Sequence, residues 1–323
     1  MDSATMIIRI VTAALALVSA SLAPAQADKP DAGLVCDGTV QDAARAQRQI
    51  PLRVRLPAGE GPFPVILFSH GLGGSLDAGT RWAEAWTAAG FAVVHLQHPG
   101  SDASLWKGLK GKEAMAALRK GMDAKQFIAR VADVKTVLDA VGGPLLIGNC
   151  PMARLDAGRI GMAGHSFGAQ TVQAVAGQQF RAPTGLFSVA DPRIKAAIAF
   201  SPAPALAEPD ESAFGKISIP FLSVTGSKDA VPGLTKVTPK DRTRPFHAMP
   251  PGRKYLLVVN GADHLIFSGG EQRRAPTPTD RRTELIVAET TAQFWRANLV
   301  APTAKGSLAA PEALGPEDVW LAR

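Results

Sequence analysis

Short apolar runs, each closed by glycine or a polar turn, recur along the middle of the chain and alternate with stretches of helical period. Pro64–Ser69 is apolar almost throughout and ends in His70-Gly-Leu-Gly-Gly74. Phe91–Leu96, Arg159–Ala163, Ile194–Phe200, Ile219–Val224 and Tyr255–Val259 are of the same kind. A strand that is apolar on both faces has to be covered on both, as in a parallel sheet flanked by helices. Between these runs, residues 78–89 and 167–178 read as helices. Residues 123–141 set Phe127, Ile128, Val131, Val134, Leu138 and Val141 at spacings of three and four, which builds one helical face. Leu285, Ile286, Phe294, Trp295 and Leu299 indicate a closing helix, and Pro51–Leu56 alternates enough for an edge strand. The pattern predicts an α/β fold with a mostly parallel central sheet and helices on both faces, in one domain over residues 51–300.

The flanks read differently. Residues 28–50 show no period and are expected to be an irregular N-terminus of the mature chain. Residues 301–323 look like a proline-punctuated tail. At the start, Arg9 precedes the apolar stretch Ile10–Val18, followed by small residues and Ala25-Gln26-Ala27. That is the layout of a secretory signal peptide over residues 1–27, with cleavage near Ala27 and a secreted or periplasmic product. Ser19, Ser21 and Pro24 interrupt the apolar run before it reaches the ~20 residues that span a bilayer. No later segment is long and apolar enough either, so no stable membrane insertion is expected.

Composition adds little beyond this. Hydrophobic residues make up 46% and charged residues 20%, ample for a globular core. The formal charge of +7 is dispersed, there is one tyrosine, and no nucleic-acid motif occurs, so a solvated basic surface is expected rather than a nucleic-acid partner. Cys36 and Cys150 are the two cysteines. In an oxidising compartment they allow one disulfide, and two separate buried thiols are the alternative. Nothing in the sequence bears on oligomeric state.

The chemistry enters with Gly164-His165-Ser166-Phe167-Gly168. G-x-S-x-G alone is a moderate signal, but here a strand ends just before it and a helix starts just after. That is the setting of a nucleophile elbow, a tight turn that lifts the serine hydroxyl above the sheet. A serine hydroxyl needs a base to take its proton, and the base needs a carboxylate to orient it. In this setting the partners follow in the order acid, then histidine. Asp229 closes Thr225-Gly-Ser-Lys-Asp229 after one apolar run, and His264 closes Asn260-Gly-Ala-Asp-His264 after the next. Asp263 competes as the acid, but adjacent residues seldom turn a carboxylate onto a neighbour's imidazole. The oxyanion of an acyl-transfer intermediate needs donors. The N–H of Phe167, next after the serine, and that of Leu72 in the glycine-rich loop are the candidates.

The segments HGLGG, GFAVVHLQHPGSD, RIGMAGHSFGAQT, TGSKD and GADHLIF resemble those of α/β-hydrolases related to platelet-activating-factor acetylhydrolase and predicted dienelactone hydrolases, over about residues 50–300. The resemblance implies the α/β-hydrolase fold, a Ser166–Asp229–His264 triad, an oxyanion hole from Leu72 and Phe167, and no metal or organic cofactor. It implies a serine esterase acting on small-molecule or lipid-like esters through an acyl-enzyme. The elbow carries serine where dienelactone hydrolases use cysteine, and Ala169 stands where the acetylhydrolases usually continue with glycine. Both departures bear on the substrate more than on the reaction. A polyester or cutinase-like depolymerase, a peptidase with the same triad, and a non-catalytic binding protein on this scaffold are the competing readings.

Other features have milder readings. His95 and His98 lack a ligand cluster that would complete a metal site, and His165 is expected to pack behind the elbow. Residues 235–254 form a basic, proline-rich stretch expected as a solvated loop, with a cationic rim for anionic or polymeric substrates as the sharper reading. Trp82, Trp86 and Trp106 are expected to pack a helix face rather than line an acyl pocket, and Leu105–Leu118 to cover part of the site.

Overall fold

The apolar runs become neighbouring strands of one sheet in a computed structural model that describes residues 33–270, 275–301 and 308–323. The elements are β1 (Leu34–Asp42), β2 (Arg48–Leu56), β3 (Phe63–Ser69), α1 (Thr80–Ala88), β4 (Ala92–Leu96), α2 (Gly111–Gly121) and α3 (Ala124–Ala140). A two-strand hairpin, β5 (Leu146–Ile147) and β6 (Cys150–Pro151), precedes β7 (Leu155–His165) and α4 (Phe167–Ala176). A second hairpin, β8 (Gln179–Ala182) and β9 (Gly185–Ser188), leads into β10 (Ile194–Phe200) and α5 (Asp210–Phe214). The chain closes with β11 (Phe221–Lys228), α6 (Arg244–Ala248), β12 (Lys254–Asp263), α7 (Pro278–Trp295) and β13 (Val319–Ala322).

Among the described residues the main sheet has nine strands in the order β1-β2-β4-β3-β7-β10-β11-β12-β13. The run from β4 to β12 is parallel throughout. β1 and β2 join one side antiparallel, and β13 joins the other side antiparallel. Successive side chains on a strand point to opposite faces, and β3 shows the consequence. Val65 and Leu67 belong to the core under α3 and α4, whereas Ile66 and Phe68 belong to the core under α1 and α7. That two-sided burial is why these strands read as continuous apolar runs.

The helices supply what covers each face. Val131, Val134, Val137 and Leu138 of α3 are buried on one side, and Trp82 and Trp86 of α1 with Phe294 and Trp295 of α7 on the other. Trp86 stacks near Phe200 and donates to the Thr291 hydroxyl at 2.8 Å, and Trp82 donates to the Phe267 carbonyl at 3.1 Å. These tryptophans are packing residues, and truncating either to alanine should cost about 3–5 kcal/mol.

Both flanks depart from the sequence expectation. Residues 34–42, expected to be irregular, form β1, and Pro51–Leu56 lies in β2, one strand in from the edge. Only Cys36 and Val40 of β1 turn inward, while Leu34 and Val35 stay exposed, so no clean alternation marks it. The expected tail at 301–323 contributes β13, and Leu308, Leu314 and Trp320 pack on the core beside it. Backbone pairing to β12, invisible in side-chain pattern, holds this segment. Cys36 and Cys150 form a disulfide with Cα atoms 5.9 Å apart, joining β1 to the β5–β6 hairpin. The signal-peptide segment lies outside the described residues.

Candidate active site

Ser166 sits between β7 and α4 with φ 56° and ψ −112°, a conformation that side chains other than glycine rarely adopt. Strain of this kind persists only where the surroundings enforce it. A Cβ on Gly168 would stand 2.0 Å from the Ser69 carbonyl oxygen, and one on Gly164 would stand 2.6 Å from that of Gly168. Glycine is therefore required at both flanks of the elbow. The Ser166 N–H donates to the Phe200 carbonyl at 2.9 Å, which pins the turn to the end of β10.

Three strand ends bring the predicted side chains together. His264 Nε2 lies 2.9 Å from Ser166 Oγ, and His264 Nδ1 lies 2.6 Å from Asp229 Oδ1. A carboxylate only accepts, so Nδ1 carries the proton and Nε2 is left free to accept one from the serine. Asp229 is fully buried, and its second oxygen accepts from the Thr225 hydroxyl at 2.7 Å. Burial by itself would raise this carboxyl. The His264 hydrogen bond, the charge of Arg242 and the Thr225 hydroxyl outweigh that and hold it below the usual carboxylate range. Asp263 instead accepts from the backbone N–H groups of Leu265 and Ile266. His165 Nε2 donates to the His264 carbonyl at 2.9 Å, and its ring lies 4.5 Å from the His264 ring. Burial, and then the neighbouring His264, push the His165 imidazole well below its ordinary value, so it stays neutral.

Leu72 and Phe167 line the cleft beside Ser166, together with Met122, Val231 and Leu234. Phe167 is the first residue of α4, where a backbone N–H has no acceptor within the helix. Among the described residues the Leu72 N–H also has no backbone acceptor, although the adjacent Gly73 N–H donates to the Ser101 carbonyl. The two residues expected to supply oxyanion donors thus line the same cleft as the serine. Trp106 lies outside this lining and donates to the Gly73 carbonyl at 2.8 Å, bracing the glycine loop.

Two arginines that motif reading does not single out frame the site. Arg242 comes from the basic stretch 235–254, yet the residue is only 3% exposed. Its Nε donates to the Asp229 carbonyl at 2.9 Å and lies 2.7 Å from Asp229 Oδ1. Nη1 donates to the carbonyls of Ser201 and Pro202 at 2.9 and 3.1 Å. The solvated-loop expectation fails here because a strand-end carboxylate and two carbonyls draw the guanidinium inward.

Arg130 of α3 is fully buried behind the glycine loop. It donates to Ser101 Oγ at 2.8 Å and to the carbonyls of His70 and Gly71 at 2.7 and 3.3 Å, and its guanidinium lies 4.5 Å from the centre of the Phe167 ring. Burial pulls Arg130 down to about 9. Its place was legible: position 130 is three after Phe127 and four before Val134, on the apolar face of the predicted helix. Next to it, His98 bonds to Asp133 at 3.0 Å and to the Ser69 hydroxyl at 2.9 Å, and Arg48 pairs with Asp133 at 2.7 Å. Among the described residues no group of three or more His, Cys, Asp or Glu side chains is placed to hold a metal. No described helix is long and apolar enough to cross a membrane.

No protein-family model matches the chain, and no curated protein matches it in sequence. Solved structures do. A ferulic acid esterase from Streptomyces cinnamoneus is 18% identical with a TM-score of 0.63, over 91% of this chain and 97% of that one. A 2,6-dihydroxy-pseudo-oxynicotine hydrolase is 14% identical with a TM-score of 0.55, over 85% and 71%. A dienelactone hydrolase from Anabaena variabilis ATCC 29413 is 18% identical with a TM-score of 0.53, over 83% and 99%. At these identities the likeness is one of fold.

Proposed function

We propose that this chain, which has the α/β-hydrolase fold, is a serine hydrolase that cleaves carboxylic esters through an acyl-enzyme. The observation that carries the reading is the unbroken relay Asp229–His264–Ser166, with contacts of 2.6 and 2.9 Å, at a cleft lined by Leu72 and Phe167. His264 Nε2 takes the Ser166 proton as Oγ attacks the ester carbonyl carbon. The oxyanion forms toward the N–H groups of Leu72 and Phe167. The proton then passes from Nε2 to the departing alkoxide, leaving an acyl group on Ser166. Water, deprotonated by the same nitrogen, releases the acid and restores the serine.

Neighbours bearing esterase and hydrolase names support this class of reaction without naming a substrate for this chain. The substrate class we propose is a small-molecule or lipid-like ester, since the cleft wall is largely apolar: Leu72, Met122, Val231 and Leu234. The disulfide, which forms in oxidising compartments, supports export to a secreted or periplasmic location. Hydrolysis of p-nitrophenyl esters from acetate to long acyl chains tests the proposal. Turnover should fall by about 10⁴ or more in Ser166→Ala. A folded wild-type protein inert across the series would refute it.

A further inference from the structure

We propose that Arg242 is a positioning residue for the Asp229–His264 pair and that its guanidinium sets the acid limb of the pH–activity profile. The inference rests on the serine-hydrolase reading and adds to it a residue outside the Ser–His–Asp set.

Burial is the first argument. A guanidinium leaves water only where its charge and its N–H groups are met. Arg242 meets both conditions through the Asp229 carboxylate and three backbone carbonyls, those of Asp229, Ser201 and Pro202. Those carbonyls lie at the C-terminal ends of β10 and β11. Ser201 there holds φ 57°, and its neighbour Phe200 accepts the Ser166 N–H. One side chain therefore ties together the turn that carries the acid and the strand end against which the nucleophile rests.

The second argument is the sharing of one oxygen. Arg242 Nε lies 2.7 Å from Asp229 Oδ1, the same oxygen that His264 Nδ1 approaches to 2.6 Å. With Thr225 on the other oxygen, the carboxylate cannot rotate away from the imidazole.

The third argument concerns charge. The groups facing His264 are Asp229 at the end of β11, Arg242 from the segment before α6, His165 at the end of β7, and the Ser166 hydroxyl. His165 is neutral, and Asp263, next in the chain, is turned onto backbone N–H groups. The nearest Arg242 nitrogen is 3.3 Å from His264 Nδ1. Both nitrogens bear hydrogen, so this is a contact rather than a hydrogen bond. In acid, a protonated imidazole would stand against a cation already drawing on its carboxylate, and like charges this close disfavour the second proton. The guanidinium thus sets a fixed positive charge against the imidazole, and the acid limb of the pH–activity profile is where that charge would be read.

The test is the pH profile of kcat/KM for p-nitrophenyl acetate in the wild type, Arg242→Gln and Arg242→Lys, with fluorophosphonate labelling as a check on the nucleophile. Arg242→Gln should move the acid midpoint up by about one pH unit and lower the plateau by about tenfold. Arg242→Lys should keep the midpoint within a few tenths of a unit while losing part of the plateau, because an ammonium cannot reach the carboxylate and the carbonyls together. A folded Arg242→Gln whose activity drops by one factor at every pH would overturn the proposal. If Arg242→Gln does not fold, a midpoint that moves in the charge-retaining Arg242→Lys would overturn it instead. A wild-type enzyme with neither turnover nor labelling would refute the hydrolase reading itself, a separate outcome.

Discussion

The two ends of the proposed reaction path are flanked by buried arginines whose surroundings differ. On the acid side, Arg242 contacts the Asp229 carboxylate and lies against His264, so its charge bears directly on the proposed triad. On the oxyanion side, Arg130 touches carbonyls and hydroxyls of the glycine loop and its neighbours and covers the Phe167 ring, so it meets the two proposed donor residues through the loop and through that ring. Asp133, three residues on along α3, is engaged by Arg48 and His98. The same side chain thus meets a carboxylate and an imidazole in one place and mainly backbone carbonyls and hydroxyls in the other.

The largest effect should come from the acid itself. Asp229→Asn should lower kcat by about 10⁴, because the wrong imidazole tautomer would face the serine, whereas Asp263→Asn should stay within about twofold. Steady-state kinetics on both variants decide which carboxylate belongs to the triad, and a severe loss in Asp263→Asn would break the assignment.

Arg130→Met should come next. Losing the brace behind Leu72 should cost about 10² in kcat with little change in KM, the scale of one oxyanion donor. The acid midpoint should not move, since no charge beside His264 has changed. A shifted midpoint in Arg130→Met would erase the contrast between the two arginines.

A smaller effect concerns stability. His98 is buried and held at about 4, against an ordinary value of 6.5, by burial and by the Arg130 charge, although Asp133 pulls the other way. Asp133 itself stays ionised down to about 2, with burial opposed by its bonds from His98 and Arg48. Between about pH 6.5 and 4 only the unfolded chain protonates such an imidazole. Stability from this site is therefore full above that range and is lost as pH falls through it. His98→Gln should reduce the slope of unfolding free energy against pH by about 1.4 kcal/mol per pH unit in this window. Urea titrations at pH 7, 6 and 5 measure it, and an unchanged slope would mean that the imidazole is charged in the folded protein.

The same contrast shows how much could be read in advance. The elbow was legible because Gly164 and Gly168 have no room for a Cβ, so sequence and geometry coincide there. The meeting of Asp229 and His264 with Ser166 was legible because each directly follows an apolar strand, and ligand sites of such sheets lie at those strand ends. Arg130 left a trace in helical spacing that motif reading passed over. Arg242 left none: in a run of lysines, arginines and prolines it looks like any solvated cation, and only its partners across the fold take it inside. β1 and β13 were hidden for a related reason, since their places depend on backbone pairing while their side chains stay largely exposed.

The most direct test of the central claim is covalent labelling of the folded protein with a fluorophosphonate, read by intact mass and peptide mapping. A Ser166 activated by His264 predicts a single adduct on the peptide carrying Gly164-His165-Ser166-Phe167-Gly168, lost in Ser166→Ala and strongly slowed in His264→Ala. A folded protein that takes no label, or one that is labelled equally well in Ser166→Ala, would contradict the account.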